Sequence, residues 1–109
     1  MKFVSSSAVL ALVLLAAHPS ARQTPGTFLT YGAGIASCTS WTAHLKDPNT
    51  HAGDLQWVLG FASAAGVFAG VQLKVDANGI DPFITSYCRD NPAETITTAA
   101  ATMIGKLQK

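Results

Sequence analysis

The sequence predicts an all-α protein, a small four-helix bundle with one disulfide crossing it. Three observations predict it. Apolar residues recur at helical spacing in four separate segments, and no stretch alternates convincingly as a strand. Proline, glycine and charged residues punctuate the segments at short intervals. The chain holds only two cysteines, Cys38 and Cys88, so a single intramolecular pairing exists.

The chain begins with residues that do not belong to this fold. Lys2 supplies a positive start, Val9 to Ala17 is an uncharged apolar run, and small residues follow at Ser20 and Ala21. This order is that of a secretory signal. The run is too short to span a bilayer of about 30 Å as a helix. Residues 1–21 are therefore read as an export signal, with cleavage between 17 and 22, and residues 22–109 as a single helical domain. Export would carry the domain to an oxidising compartment, where a disulfide persists. A bond closing a loop of fifty residues is worth about 4 kcal/mol in the chain-entropy view. Free thiols and an intermolecular bond are the competing readings of the two cysteines.

The first predicted helix starts near Ala33 and runs to Leu45, with Ile35, Cys38, Thr42 and Leu45 on one stripe and Trp41 beside it. Lys46-Asp47-Pro48-Asn49-Thr50 ends it. The second predicted helix covers Ala52 to Leu73, and from Gln56 to Leu73 it carries no charge and is rich in Ala, Gly and Val. Leu55, Val58, Leu59, Ala62 and Ala65 mark one face. Trp57, Phe61, Ala64 and Phe68 mark another. A helix apolar nearly all round belongs in the centre of a bundle. A membrane span is the rival reading, with Gly66 and Gly70 at helix-packing spacing, but the many Ala, Gly and Ser residues make it a poor lipid-facing segment.

Val75 to Ile80 reads as a turn with Gly79 in a left-handed conformation. Asp76, Asn78 and Asp81 resemble a fragment of a calcium loop, yet Tyr87 stands where the closing glutamate is needed. Asp81 and Pro82 then read as the N-cap and first residue of a third helix, with Phe83, Ile84, Tyr87 and Cys88 on its buried stripe. Asn91, Pro92 and Glu94 repeat the device for a fourth helix, which carries Ile96, Ala99, Ala100, Met103, Ile104 and Leu107 at helical spacing.

Charge and motifs exclude more than they assign. Without Lys2, six cationic side chains face six acids, so the domain is near neutral and no basic patch speaks for nucleic acid. His44 and His51 stand apart from the cysteines, without metal-ligand spacing, and read as exposed. No nucleophile elbow and no phosphate loop is present. The domain is therefore read as no enzyme, with no cofactor and no metal. Trp41, Trp57, Phe61 and Phe68 remain as candidate protein-binding residues, with a core role as the alternative.

The order Ser37-Cys38-x-x-Trp41, then Trp57 to Phe61, Gly79 to Ile84, Tyr87 to Pro92 and a closing amphipathic helix resembles the HdeA/HdeB-like proteins, small helical periplasmic proteins of Gram-negative bacteria with one disulfide. The layout is also similar to the Rap/Tai type of periplasmic immunity protein, with Gly60-Phe61 present and Ala64 in place of a glycine. The first resemblance implies an acid-stress chaperone that opens at low pH and binds unfolding clients. Protonating six carboxylates and two histidines would take the charge from about zero to about +8, and self-repulsion would loosen the compact state. The second implies an immunity protein that inhibits one toxin, with loops Lys46 to Gly53 and Lys74 to Ile80 as the contact candidates. Both imply a protein partner, and a homodimer is compatible with either.

Overall fold

The computed structural model describes residues 29–109; the export signal read in residues 1–21 lies outside them. Four α-helices and no β-strand are present among the described residues. They are α1 (Cys38–His44), α2 (Pro48–Ala69), α3 (Ala77–Asp90) and α4 (Ile96–Leu107), preceded by a short 3-10 turn at Gly32–Ile35. The fold is the expected small all-α bundle, and Cys38 and Cys88 form the disulfide that ties α1 to α3 with their Cα atoms 4.7 Å apart.

Each helix starts at a residue chosen for its side-chain oxygen. The Ser37 hydroxyl accepts from the Ser40 amide, and the Asp47 carboxylate accepts from the Asn49 amide ahead of Pro48 at the first helical turn. The Asp76 carboxylate accepts from the Asn78 amide, and the Thr95 hydroxyl from the Thr98 amide. These bonds satisfy amides that a helix leaves without partners. At the far end of α2, Gly70 adopts φ 68°, and its own amide and that of Val71 return to the carbonyls of Gly66 and Ala65. Glycine suits that left-handed position because it has no Cβ to clash.

All four helices differ in a boundary from those the sequence predicts; the second runs Pro48–Ala69 and not Ala52 to Leu73, because Asp47 caps it one turn earlier and Gly70 ends it. The first helix begins at Cys38, because Gly32 at φ 73° and the 3-10 turn occupy the expected first turn. The third begins at Ala77, capped by Asp76 and not by Asp81. Gly79 is therefore helical, with no positive φ, and a Cβ on it would meet the Val75 side chain at 2.8 Å. Pro82 sits inside α3, at an exposed position where water can serve the carbonyl that its missing amide leaves free. The fourth helix begins after Thr95, while Asn91 ends α3 and donates its side-chain amide to the Tyr87 carbonyl.

The core is built mainly by α1, α3 and α4. Cys38, Trp41, Ile84, Cys88, Ile96, Ala99, Ala100 and Met103 are all buried. Backbone bonds stitch the helix starts together: Ile96 N–H donates to Ala36 O at 2.9 Å and Cys38 N–H to Glu94 O at 2.7 Å. A second pair of bonds closes the other end, from Lys74 N–H to Leu107 O at 2.7 Å and from Lys109 N–H to Gln72 O at 2.8 Å. The apolar α2 does not sit in the centre, contrary to the sequence expectation. Only Asp54 and Val58 of its 22 residues are buried. Leu55, Leu59 and Ala62 pack against the core from one side, while Ala64, Val67, Phe68 and Ala69 are exposed. Its uniform apolarity misled because only one face finds a neighbour, and the glycine and alanine residues give the rest little bulk to bury. No helix among the described residues is long and apolar enough to cross a membrane.

The disulfide carries a direct test. A Cys38→Ala/Cys88→Ala protein is expected to lose about 4 kcal/mol, the worth of closing a loop of this length, in urea unfolding followed by circular dichroism. An unchanged midpoint would show that the bond does not limit the unfolded chain.

The cap of α2 gives a second test, through pH. The Thr50 hydroxyl and amide and the Asn49 amide hold the Asp47 carboxyl below the usual carboxylate range. A depressed folded value stabilises above the unfolded value of about 3.9 and is lost as pH falls through the folded one. Asp47→Ala should therefore lower stability at pH 7, with the difference from wild type narrowing towards pH 2. A difference that stays constant over that range would contradict this assignment.

Candidate functional site

Two polar pairs and one apolar surface stand out from this scaffold. The polar pairs use His44 and His51, the two histidines among the described residues, which the sequence reads as exposed. His44 Nδ1 lies 2.6 Å from Asp54 Oδ2, joining the end of α1 to the second turn of α2. His51 Nε2 lies 2.9 Å from Asp81 Oδ2, joining α2 to α3. Asp81 Oδ1 accepts from the Thr85 hydroxyl, and Thr85 Oγ1 accepts from the Trp41 indole N–H at 3.0 Å. The His51 ring meets Trp41 edge-on at 4.8 Å. Asp81 is thus committed to a link between helices, which is why it does not serve as the cap of α3. The sequence gives no sign of these partners, since His51 and Asp81 are 30 residues apart.

The bonds run as one chain, from the Trp41 indole N–H through Thr85 and Asp81 to His51, whose Nδ1 is buried without a hydrogen-bond partner among the described residues. Among the described residues no three His, Cys, Asp or Glu side chains cluster in a way that could hold a metal ion.

The four candidate binding residues divide. Trp41 is fully buried in the core and is removed from any contact surface; its spacing next to Cys38 points inward. Trp57 and Phe61 are half-buried and stack on each other with centroids 5.3 Å apart. Phe68 is 88 % exposed. Helical geometry sets Trp57, Phe61, Ala64 and Phe68 within about 60° of one another, along about 16 Å of α2. They form one line on the outer side of the helix.

The segment before α1 completes the surface. The Trp57 indole N–H donates to the Tyr31 carbonyl at 2.6 Å, and the Thr97 hydroxyl donates to the Gly34 carbonyl at 2.8 Å, fixing the 3-10 turn on α4. Leu29, Thr30, Tyr31, Gln56, Trp57, Gly60 and Phe61 line an open groove of about 410 Å³. Leu29, Tyr31 and Ile35 are 80, 74 and 66 % exposed, and Val67 is 77 % exposed. Large apolar side chains brought together at a surface mark a contact site, and Leu29, Tyr31, Trp57 and Phe61 are so brought together in the groove. Leu29 and Val67 were not singled out by the sequence, whereas Ile35, expected on the apolar stripe of the first helix, lies exposed in the 3-10 turn before it because the helix starts only at Cys38. The loops expected from the immunity resemblance are partly helical: Pro48 to Gly53 opens α2 and Ala77 to Ile80 opens α3.

Electrostatics leave this surface neutral. No Asp, Glu, Lys or Arg occurs from Leu55 to Leu73, and the one indole donor is already used. The groove suits an uncharged apolar group and has nothing to neutralise an ion.

No protein-family model matches the chain, and no curated protein or solved structure matches it either.

The seat of Trp57 depends on Gly34. A Cβ at Gly34 would lie 2.1 Å from the Trp57 ring, so Gly34→Ala must displace the indole. The expected outcome is a loss of roughly 1–3 kcal/mol, as for other overpacked sites, with a changed Trp57 fluorescence spectrum in a Trp41→Phe background. An unchanged spectrum would show that the ring does not rest on Gly34.

Proposed function

We propose that this chain is a non-catalytic, exported protein-binding domain, acting in the periplasm through the outer face of α2 and the segment beside it. One observation carries the reading. The aromatic line Trp57, Phe61 and Phe68 is presented by a folded, disulfide-tied bundle, beside a groove bordered by Leu29 and Tyr31. Such a surface needs no unfolding step before it can bind. That favours a defined protein partner, as in the resemblance to periplasmic immunity proteins, over the acid-opened capture of many clients.

The two histidine–carboxylate pairs favour the chaperone reading as the second possibility. Both pairs join α2 to the rest of the bundle, so the helix that bears the apolar face is held at its start by contacts between histidine and carboxylate.

The test uses the oxidised protein purified after export. At pH 7 it is immobilised and exposed to the exported proteins of its own host. The expected result is one partner at fixed stoichiometry, lost when the exposed Tyr31 is changed to Asp. Titration to pH 2 with a client prone to aggregation separates the second reading. Suppression of aggregation only at acid pH, with no partner at pH 7, would overturn the defined-partner reading in favour of the chaperone. No partner and no suppression would overturn both.

A further inference from the structure

The outer face of α2 is complementary to itself. At its C-terminal end Phe68 projects as a free apolar side chain, 88 % exposed. Near its middle, two turns before Phe68, lies the groove of about 410 Å³ bordered by Trp57, Gly60 and Phe61. The two features are on the same helical line, Gly60 and Phe68 each four residues from Ala64. Gly60 has the role of a gap: a Cβ there would meet nothing within 4 Å in the same protomer. A projecting group and a recess placed symmetrically about one small residue are what a two-fold axis requires, since the same patch must fit itself.

We propose that α2 pairs antiparallel with α2 of a second copy about an axis at Ala64, so that Phe68 of each protomer fills the groove beside Gly60 of the other. This rests on the reading of that face as a protein-binding surface, and names a second copy as its occupant in the absence of another partner. Ala64 at the axis lets the helices approach closely. The absence of charge from Leu55 to Leu73 means that antiparallel pairing brings no like charges together, and a neutral groove accepts a phenyl ring without an ion left unpaired. The area is also adequate. An aromatic side chain buries about 150–250 Å², so Tyr31, Phe68, Leu29, Val67 and the open edges of Trp57 and Phe61 offer on the order of 700 Å² per protomer. A standard specific interface buries about 800 Å² per partner.

Sedimentation of the oxidised, exported protein at about 100 μM, alone and at pH 7, tests this without any other protein. The wild type is expected at twice the protomer mass, and Phe68→Asp at the protomer mass with an unchanged circular dichroism spectrum. Phe68 is exposed in the protomer, so its replacement leaves the core intact. A second variant guards against misfolding: Ala64→Cys should cross-link to itself under mild oxidation, whereas Gly53→Cys, far from the axis, should not. A monomeric wild type, a dimeric Phe68→Asp protein, or equal cross-linking from both cysteine positions would overturn the pairing. A monomer that still captures a foreign partner refutes this inference and leaves the binding reading standing. A dimer that captures none, and suppresses no client, does the reverse.

Discussion

The link between Cys38 and Cys88 is the constraint on which the arrangement depends. The helix α1 has seven residues, well below the length at which an isolated helix holds together in water. The bond fixes it against α3, and this fixes the position of Trp41, whose indole fills the centre of the core and donates to Thr85. With α1 placed, Cys38 N–H reaches Glu94 O and Ile96 N–H reaches Ala36 O, so the start of α4 is set by the same few residues. Most of the core then belongs to α1, α3 and α4, and α2 is free to expose a face.

That division explains the two different surfaces of α2. Its inner residues Leu55, Val58, Leu59 and Ala62 reach the core, and its first turns are held by His44 with Asp54 and by His51 with Asp81. Beyond Ala62 few contacts remain, and the helix carries Ala64, Val67 and Phe68 outward. A helix tied at one end by polar pairs and apolar along its outside is suited to present a surface and poorly suited to bury one. The function proposed here follows from that asymmetry.

Much of the fold was legible in the residues, and the misreadings have physical causes. Two cysteines on apolar stripes gave one pairing, and Ile96, Ala99, Ala100 and Met103 gave the buried side of α4 by spacing alone. Helix starts were less legible because several residues suit a cap equally well. Asp76 and Asp81 both stand before a helical pattern, and the choice between them turns on His51 and Thr85, which bind Asp81 from other positions in the chain. The same limit applies to the site. Phe61 and Phe68 were visible as a line on α2, and Trp41, one turn from Cys38, carried a sign of burial that its size as an aromatic side chain obscured. Leu29 and Tyr31 join the groove only through the bond from Trp57 to the Tyr31 carbonyl, a contact made across 26 residues.

The central claim is that the outer face of α2 meets protein. Placing a photo-activated cross-linking residue at Ala64 of the exported protein in living cells tests it most directly, with the exposed Lys106 on α4 as the comparison. The account predicts covalent protein adducts from position 64, to a second copy or to a foreign partner, and few from position 106. No adduct from position 64, or equal labelling from both, would contradict it.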